Sequence, residues 1–472
     1  MKEHVKAYLE KAGYAVNTVA AEILWKADDW YRIRETDDHR RVTVSGERYS
    51  LARMGFAKRA AADDANLCEV VEINAGSNDE AVHEILAANR FDTQYREQLE
   101  LTSAEGTSAC YVRLEDADVM SDGTLSGGRI CLNYIGATGF LPLTVRNGEV
   151  VEAAFCGEAL RGAQSVDTLV ICTLDPEGNY RYKTVIFTED GEAGSEQTVR
   201  LGNVRPFAVM RTAEVNSIDG MQGYGYPKVY GAIPVFLGLD AAFSALLDDV
   251  DTAEKITLIN ERICGFDEKG QPIAPNEAMK RRFVFLGDKL PQAGDLIHET
   301  SPQIRIDMFR PTIEFLLSLM SLKFGYGTKK YSFDASGVVQ TATQYIGERQ
   351  DMMQELNRQR FQAKQYIRGI IRAALWFSNT FCGTACDLDE EIRIEFDDSY
   401  IEGKTERLEG MRQDALAGLG GVHVRARYLA AKYNLEEDEA LAWAQSADED
   451  YAEGSENDFR RCRISCGGAE PC

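Results

Sequence analysis

The feature that most restricts how this chain can fold is a helical pattern that runs unbroken from residue 340 to residue 378. An α-helix of these 39 residues spans about 58 Å, which is long for a globular domain. The pattern therefore predicts an elongated molecule built around one very long helix. Its apolar stripe, interrupted by Arg349 and Arg360, recurs at spacings of four and three: Ala342, Ile346, Met353, Leu356, Ala363, Ile367, Ile370, Ala374 and Phe377.

The segments before this helix separate into a helical part and a strand-rich part. Residues 47–104 carry apolar side chains at helical spacing. Residues 108–212 instead form short strand patterns between turn-like breaks such as "SDGTLSGG" and "DPEGN". Helices and strands segregated in this way indicate an α+β fold and argue against a doubly wound nucleotide-binding sheet. The predicted strands are "ACYVRL", "RICLNYI", "GEVVEAAF", "DTLVICTL", "YRYKTVIFT" and "RPFAVMRT".

Two further helices are predicted between the strand-rich part and the long helix. Residues 238–262 form an amphipathic pattern with an acidic outer face, and Pro227 and Pro234 are expected to prevent a helix before about residue 238. A second apolar helix is predicted over residues 306–324, and residues 263–304 between the two are turn-rich and irregular. After the long helix, one strand is predicted over 391–398 and two or three helical segments over 401–449.

Composition excludes several classes of protein. A chain of 472 residues predicts roughly three domains or one elongated body. The net charge of −24 argues against a surface that grips DNA by its phosphates. The N-terminal "MKEHVKAYLEKAGY" has no apolar core of a secretory signal. The most apolar stretch, "IEFLLSLMSL", is about half the ~20 residues that a membrane span needs, so no membrane partner is expected.

No set of catalytic or metal-binding residues is recognisable. The eleven cysteines are scattered and odd in number, which favours reduced, incidental thiols. "CGTAC" and "CRISC" could together bind zinc, although zinc sites use shorter and more regular spacings. No Ser/His/Asp signature is present and the five histidines lie far apart. We therefore expect no catalytic residue, no metal and no cofactor, and a structural protein rather than an enzyme.

The stretch "FGYGTKKYSFDASG" places Gly325 and Gly327 just before Lys329 and Lys330. A phosphate-binding loop of an ATPase needs G-x-x-x-x-G-K-[ST] after a strand. Here the two glycines are two residues apart and the preceding residues form a helical pattern, so ATP binding is not expected. The simplest alternative is a solvated loop between two helices.

The order of these parts resembles the portal protein of long-tailed bacteriophages. The N-terminal segments "YSLARMGFAKRAAADDANLCEVVEI" and "ILAANRFDTQYREQLELTSAEGTSACYVRL", the loop and long helix "SFDASGVVQTATQYIGERQDMMQELNRQRF", and the C-terminal "IRIEFDDSYIEGKTERLEGMRQDALAGLGGVHVRARYLAAKYNLEEDEALAW" resemble that family. The resemblance covers about residues 47–450. Gln344 and Gly403 depart from the family pattern, where Glu and Asp are expected, and residues 262–280 are longer than in the family.

The resemblance implies a ring, usually of twelve subunits, at the capsid vertex through which DNA enters and leaves. It implies a wing over 1–237, stem helices over 238–262 and 305–324, and a clip over 263–304. It further implies a tunnel loop over 325–339, a long wing helix and strand over 340–400, and a crown and tail over 401–472. The implied partners are double-stranded DNA, the terminase, the major capsid and scaffolding proteins and a head–tail adaptor. The implied location is the virion, after assembly in the bacterial cytoplasm.

Three groups of residues are candidates for function in such a ring. Lys329 and Lys330, with Asp334, are expected to face DNA in the tunnel loop. A basic cluster of Lys280, Arg281 and Arg282 is expected to project towards the motor or the adaptor, with a plain solvated cluster as the alternative. Apolar residues of the two stem helices are expected at subunit interfaces: Leu239, Phe243, Leu246, Val250, Phe315 and Leu319.

A second interpretation remains open from the sequence. The chain could be a cytosolic enzyme with an unrecognised active site in the strand-rich region 108–212. A ring in electron micrographs would favour the portal, and a monomer or dimer would favour the enzyme.

Overall fold

The computed structural model describes the chain in two compact units, Met1–Phe396 and Asp397–Cys472. In the first unit it describes residues 2–43, 46–119, 125–161, 164–188, 190–253, 303–331 and 342–396, and short strand and turn segments between 256 and 300. In the second unit it describes residues 397, 411–415, 421–433, 435 and 439–445. The main sheets and most helices occupy separate stretches of sequence, so the predicted α+β class is confirmed.

Five helices precede the main sheets. The first two were not predicted. Asn17 caps the start of the second, because its side chain accepts hydrogen bonds from the backbone N–H groups of Val19 and Ala20 at 3.0 and 3.3 Å. The later three confirm the predicted helical character of residues 47–104. The helices are α1 (Glu3–Lys11), α2 (Thr18–Tyr31), α3 (Phe56–Asn66), α4 (Asp79–Ala88) and α5 (Phe91–Glu105).

The strand-rich region forms two antiparallel sheets, one of three strands and one of five. The three-stranded sheet has the order β13-β4-β7 and the five-stranded sheet the order β12-β11-β10-β9-β8. All six predicted strands are present. The strands are β4 (Thr107–Glu115), β7 (Arg129–Gly136), β8 (Phe140–Arg146), β9 (Glu149–Arg161), β10 (Gln164–Leu174), β11 (Tyr180–Phe187), β12 (Ala193–Arg200) and β13 (Phe207–Arg211).

Shorter strands pair outside these two sheets. They are β1 (Arg40–Val42) with β2 (Arg48–Ser50), β5 (Asp118–Val119) with β6 (Leu125–Ser126), and β3 (Val70–Asn74) with β19 (Arg393–Phe396). The last pair confirms the strand predicted at 391–398 and joins the chain after the long helix to the N-terminal body.

Helices α6 (Lys228–Thr252) and α7 (Ile306–Lys323) pack against each other in antiparallel directions. Asp249, near the end of α6, pairs with Arg305 just before α7, whereas Phe236 lies near Phe324 at the other end, with ring centroids 6.3 Å apart. The first half of α6 is buried in the body. The second half is more exposed, so the two helices extend away from the body as a pair.

The predicted bounds of the first of these helices, 238–262, were wrong. Helix α6 begins at Lys228, ten residues earlier, and Pro234 lies inside it. Proline removes one backbone donor from a helix, and burial of Val229, Ala232 and Ile233 around it offsets that cost. The helix ends at Thr252, and strand β14 (Ile256–Ile259) follows. The second prediction, 306–324, agrees with α7.

Between α6 and α7 the described residues form two small sheets. One has the order β17-β14-β18, with β17 (Phe283–Phe285) and β18 (Ile297–Thr300), and the other pairs β15 (Gly265–Phe266) with β16 (Pro272–Ile273). This excursion of the chain therefore contains strands where the sequence predicted irregular structure.

The long predicted helix is present as α8 (Ala342–Phe377), a helix of 36 residues that spans about 54 Å. Its second half packs on β13 and β4, and Gly369 permits a close approach because a Cβ there would lie 3.0 Å from the Cβ of Ala208. The stripe predicted from the sequence provides buried residues of the main core, among them Ala363, Ile367, Ile370 and Phe377.

Within the described part of the chain one helix, α6, is long and apolar enough to cross a membrane by length and composition. This is weak evidence, because the core helix of a globular protein meets the same criteria. The buried polar residues of α6 have partners in the protein: Lys228 donates to Glu355 at 2.9 Å, and Asp240 lies 3.2 Å from His39. Such partners favour a helix packed within the protein.

In the second unit, helix α9 (Gly421–Tyr433) and the helical residues 439–445 share a small core of Ala426, Ala440 and Ala444. Residues 411–415 are also helical. These segments agree with the helices predicted over 401–449 where the structure describes them.

Candidate functional site at the lysine loop

The loop that follows α7 turns sharply at two glycines. Gly325 and Gly327 have φ angles of +77° and +73°, a backbone region that other residues rarely adopt. The backbone N–H of Gly325 donates to Leu322 at 3.1 Å and that of Tyr326 to Ser321 at 3.0 Å, which closes the end of the helix. We call residues 325–331 the lysine loop.

Two tyrosines attach the lysine loop to neighbouring carboxylates of helix α3. The hydroxyl of Tyr326 donates to Asp64 at 2.9 Å, and the hydroxyl of Tyr331 donates to Asp63 at 3.0 Å. Burial raises the pKa of both tyrosines above the ordinary value, and the adjacent aspartates reinforce the shift. Both hydroxyls therefore remain protonated donors across the ordinary pH range.

Below the loop lies a buried ion cluster centred on Lys228, the first residue of α6. Its ammonium is 3.2 Å from Asp64 and 2.9 Å from Glu355 of α8, and all three side chains are buried. Burial disfavours the charge on Lys228, but the attraction of Asp64 and Glu355 outweighs it and raises the pKa of the ammonium. Because the cluster joins α3, α6, α8 and the loop, it fixes the base of the loop.

Lys329 and Lys330 lie between the two tyrosine attachments, and both side chains are exposed. The ammonium of Lys330 lies 5.8 Å from the ring centre of Tyr326, within range of a cation–π contact. Exposed ammonium groups held on a fixed base can make weak, salt-dependent contacts to a polyanion such as DNA.

The other charged residues predicted from the sequence lie outside the described residues. These are Asp334 of the loop and the basic cluster Lys280, Arg281 and Arg282. Their predicted roles stay predictions.

The six predicted interface residues differ in exposure. Val250 and Phe315 are 45% and 63% exposed, and Phe243, Leu246 and Leu319 are half-buried. Leu239 is fully buried within its own chain, so its side chain offers no surface to a neighbouring subunit. It packs in the core because α6 begins earlier than predicted and its first half lies inside the body.

The residues that hold the lysine loop were not predicted from the sequence: Asp63, Asp64, Lys228, Glu355, Tyr326 and Tyr331. One signal was present in "AAADDAN", where two adjacent acids follow a run of alanines on a helix. Alanines of α3 are buried at Ala57, Ala60 and Ala61, so an acid on the same face requires a buried partner. The partners of Asp64 are Lys228 and Tyr326, 164 and 262 positions further along the chain, and no local pattern connects them.

The alternative interpretation, an enzyme, places an active site in the strand-rich region. A cavity of about 420 Å³ lies there. The described lining residues have polar groups but include no Ser, Cys or His: Asn89, Arg90, Gln94, Tyr111, Arg113, Leu132, Asn133, Tyr134, Ile135, Gly157, Glu158 and Thr168. Burial raises the pKa of Tyr134, so its hydroxyl stays protonated and cannot accept a proton near neutral pH. No observation at this cavity favours a particular reaction.

Among the described residues no group of His, Cys, Asp and Glu is arranged to hold a metal ion. Cys382 is exposed and Cys386 is half-buried, whereas the second cysteine pair of the sequence lies beyond the described part. Cys68, Cys110 and Cys172 are buried, and burial raises the pKa of each thiol, that of Cys68 to about 12.

Comparisons with known proteins give a weak structural similarity. No protein-family model matches the chain, and no curated protein matches it. Among solved structures, the chain is similar to a chain described as the neck of a native GTA particle computed with C12 symmetry. The identity is 11%, the TM-score is 0.37, and the alignment covers 82% of this chain and 89% of that chain. At this TM-score the similarity carries no argument about function.

Proposed function

We propose that the chain is the subunit of a phage portal, a ring at the capsid vertex through which DNA is packaged and ejected. The observation that carries this proposal is the antiparallel pair α6 and α7. One end of the pair is set in the α+β body, and the other leads into the excursion with small sheets. The lysine loop and the long helix α8 follow in the order that the family resemblance implies.

The exposed surface of this helix pair supports assembly into a ring. Phe315 and Val250 are exposed, and so are Leu247 of α6 and Ile306 and Met308 of α7. Large apolar side chains grouped on projecting helices indicate a protein contact, since scattered single residues are the norm on monomers. Neighbouring copies would bury this surface, and twelve copies would close the ring that the family implies.

The charge of the chain fits a channel for DNA. At −24 per chain, twelve subunits carry 12 × (−24) = −288, and an acidic channel repels phosphates so that DNA slides without sticking. Lys329 and Lys330 would add a ring of positive charge with transient phosphate contacts. In this proposal the chain has no catalytic role. Its partners are DNA, the terminase, the major capsid and scaffolding proteins and a head–tail adaptor.

Size-exclusion chromatography with light scattering, followed by negative-stain imaging, tests the proposal. We expect rings, with a mass of about twelve chains. A monomer or dimer at micromolar concentration would contradict it and would favour the cytosolic enzyme.

A further inference from the structure

We propose that Tyr326 and Tyr331 are positioning residues that hold the segment containing Lys329 and Lys330 at both ends. We call these two tyrosine attachments the clamp, and we propose that the Tyr331 attachment is the one that can be released. The clamp itself is a property of the chain. Its use in contacting DNA rests on the proposed function.

The two attachments converge on one element. Tyr326 precedes the lysine pair and Tyr331 follows it, and their hydroxyls reach the adjacent carboxylates Asp64 and Asp63. The backbone N–H of Tyr331 also donates to the hydroxyl of Ser321 at 3.0 Å. A short segment held at both ends on rigid helices keeps the side chains between them in a narrow range of positions.

The two attachments differ in how much their release would cost. Tyr326 is only 5% exposed and its acceptor, Asp64, is buried beside Lys228. Moving Tyr326 out would open a cavity and remove a hydrogen bond from a buried carboxylate, and both changes are costly.

The Tyr331 attachment is less costly to release. Tyr331 is half-buried, and Asp63 also pairs with Arg59, whose guanidinium contacts it at 2.9 and 3.0 Å. If Tyr331 moves away, Asp63 keeps a charged partner, so no buried charge is left alone. The clamp therefore opens at Tyr331 before it opens at Tyr326.

Gly327 provides the point at which the loop can turn. Its φ angle is +73° and no atom lies within 4 Å of the place where a Cβ would stand. Glycine adopts backbone conformations that other residues rarely adopt, so the chain can change direction at Gly327 while Tyr326 stays in its buried site.

Limited proteolysis with trypsin tests the clamp, because trypsin cuts after the lysines that the clamp positions. The full-length protein and the variants Tyr331→Phe, Tyr326→Phe and Tyr49→Phe are digested under native conditions. Cleavage after Lys329 and Lys330 is followed by mass spectrometry, with cleavage after Lys323 of α7 as the internal reference. Tyr49 lies exposed on strand β2, so Tyr49→Phe is the matched control for loss of a hydroxyl.

We expect Tyr331→Phe to increase cleavage after Lys329 and Lys330 by roughly three- to ten-fold, the effect of losing one hydrogen bond on the population of the open loop. Its melting temperature should stay within about 2 °C of the wild type. Tyr326→Phe should instead lower the melting temperature with a smaller change in cleavage, and Tyr49→Phe should change neither.

Two results would overturn the clamp: equal cleavage in Tyr331→Phe and the wild type, or a larger increase in Tyr326→Phe than in Tyr331→Phe. Chromatography of the same samples keeps the two proposals separate. If Tyr331→Phe increases cleavage after Lys329 and Lys330 but the protein is monomeric, the clamp is supported and the portal is contradicted. If the protein forms intact rings but Tyr331→Phe is cleaved no faster than the wild type, the portal is supported and the clamp is contradicted.

Discussion

Lys228 illustrates what a buried charge requires of its surroundings. Two carboxylates, Asp64 and Glu355, surround its ammonium, and Tyr326 donates to one of them. The desolvation cost of such a cluster is offset only when every member keeps its partners. The cluster thus acts less as a source of stability than as a device that specifies how α3, α6, α8 and the lysine loop fit together.

Replacing Lys228 with Met should destabilise the protein strongly, by about 3–5 kcal/mol, because two buried carboxylates lose their cation. Glu355→Gln should cost less, since Lys228 keeps Asp64. Urea unfolding of both variants, followed by circular dichroism, measures the difference. A cost below about 1 kcal/mol for Lys228→Met would show that water reaches the cluster.

Glu105 makes the body sensitive to alkaline pH. Its side chain is fully buried, it accepts from the backbone N–H of Thr138 at 3.2 Å, and it lies beside the carboxylate of Asp28. Burial, reinforced by Asp28, raises the pKa of Glu105 to about 8. The folded protein therefore binds this proton more tightly than the unfolded chain does.

A group with a raised pKa stabilises the fold fully below its unfolded pKa, and that contribution is lost as the pH rises through the folded value. We expect the wild type to lose about 3 kcal/mol from this group between about pH 6 and pH 9. Glu105→Gln, which cannot ionise, should lose much less. Chemical unfolding of both proteins at the two pH values gives the comparison, and parallel pH curves would exclude the effect.

At the scale of elements, sequence patterns predicted the parts that carry many apolar side chains. The stripe of α8 follows from one buried face, and β7 alternates at its start. Strands β4, β10 and β11 stand out as apolar runs because they have buried residues on both faces. Strand β12, "AGSEQTVR", was missed because it is exposed along most of its length and shows no apolar alternation. The early start of α6 was missed because tertiary burial outweighed the effect of Pro234.

The candidate site was predictable only in part. The glycines and lysines of the loop stand out in the sequence, since a positive φ angle and a solvated cation are both local properties. The tyrosine attachments and the ion cluster depend on contacts between distant segments, so no spacing rule reveals them. The same holds for Leu239, whose apolar character cannot distinguish a core position from an interface.

The exposed face of α7 gives a test of assembly that leaves the fold intact. Phe315→Asp places a charge where a neighbouring subunit should pack, so we expect rings to break into smaller species while the melting temperature of the chain stays close to that of the wild type. Phe361→Asp, the same change at a position of helix α8 that is 60% exposed and outside the helix pair, is the matched control. Light scattering measures the mass of the assembled species for both variants. Intact rings in Phe315→Asp would show that this face is not at a subunit interface.

At the scale of the whole molecule, the lysine pair should matter for DNA and not for assembly. Lys329→Ala combined with Lys330→Ala should leave ring formation unchanged but alter DNA packaging or retention, with a larger effect at low salt because phosphate contacts weaken as salt rises. Packaged DNA is measured by nuclease protection at two salt concentrations. Saturable ATP binding that this double variant abolishes would instead support a nucleotide site.

The reactivity of the buried thiols can report where the core of the molecule opens locally. Cys68, Cys110 and Cys172 lie in three different segments of one core, and a thiol that is both shielded and held protonated reacts with alkylating reagents only when its surroundings open. Cys382, at the surface, reacts without such an event. The rate of alkylation at each cysteine would therefore show which segment of the core opens first. The same measurement on a larger assembly would show whether assembly slows this local opening.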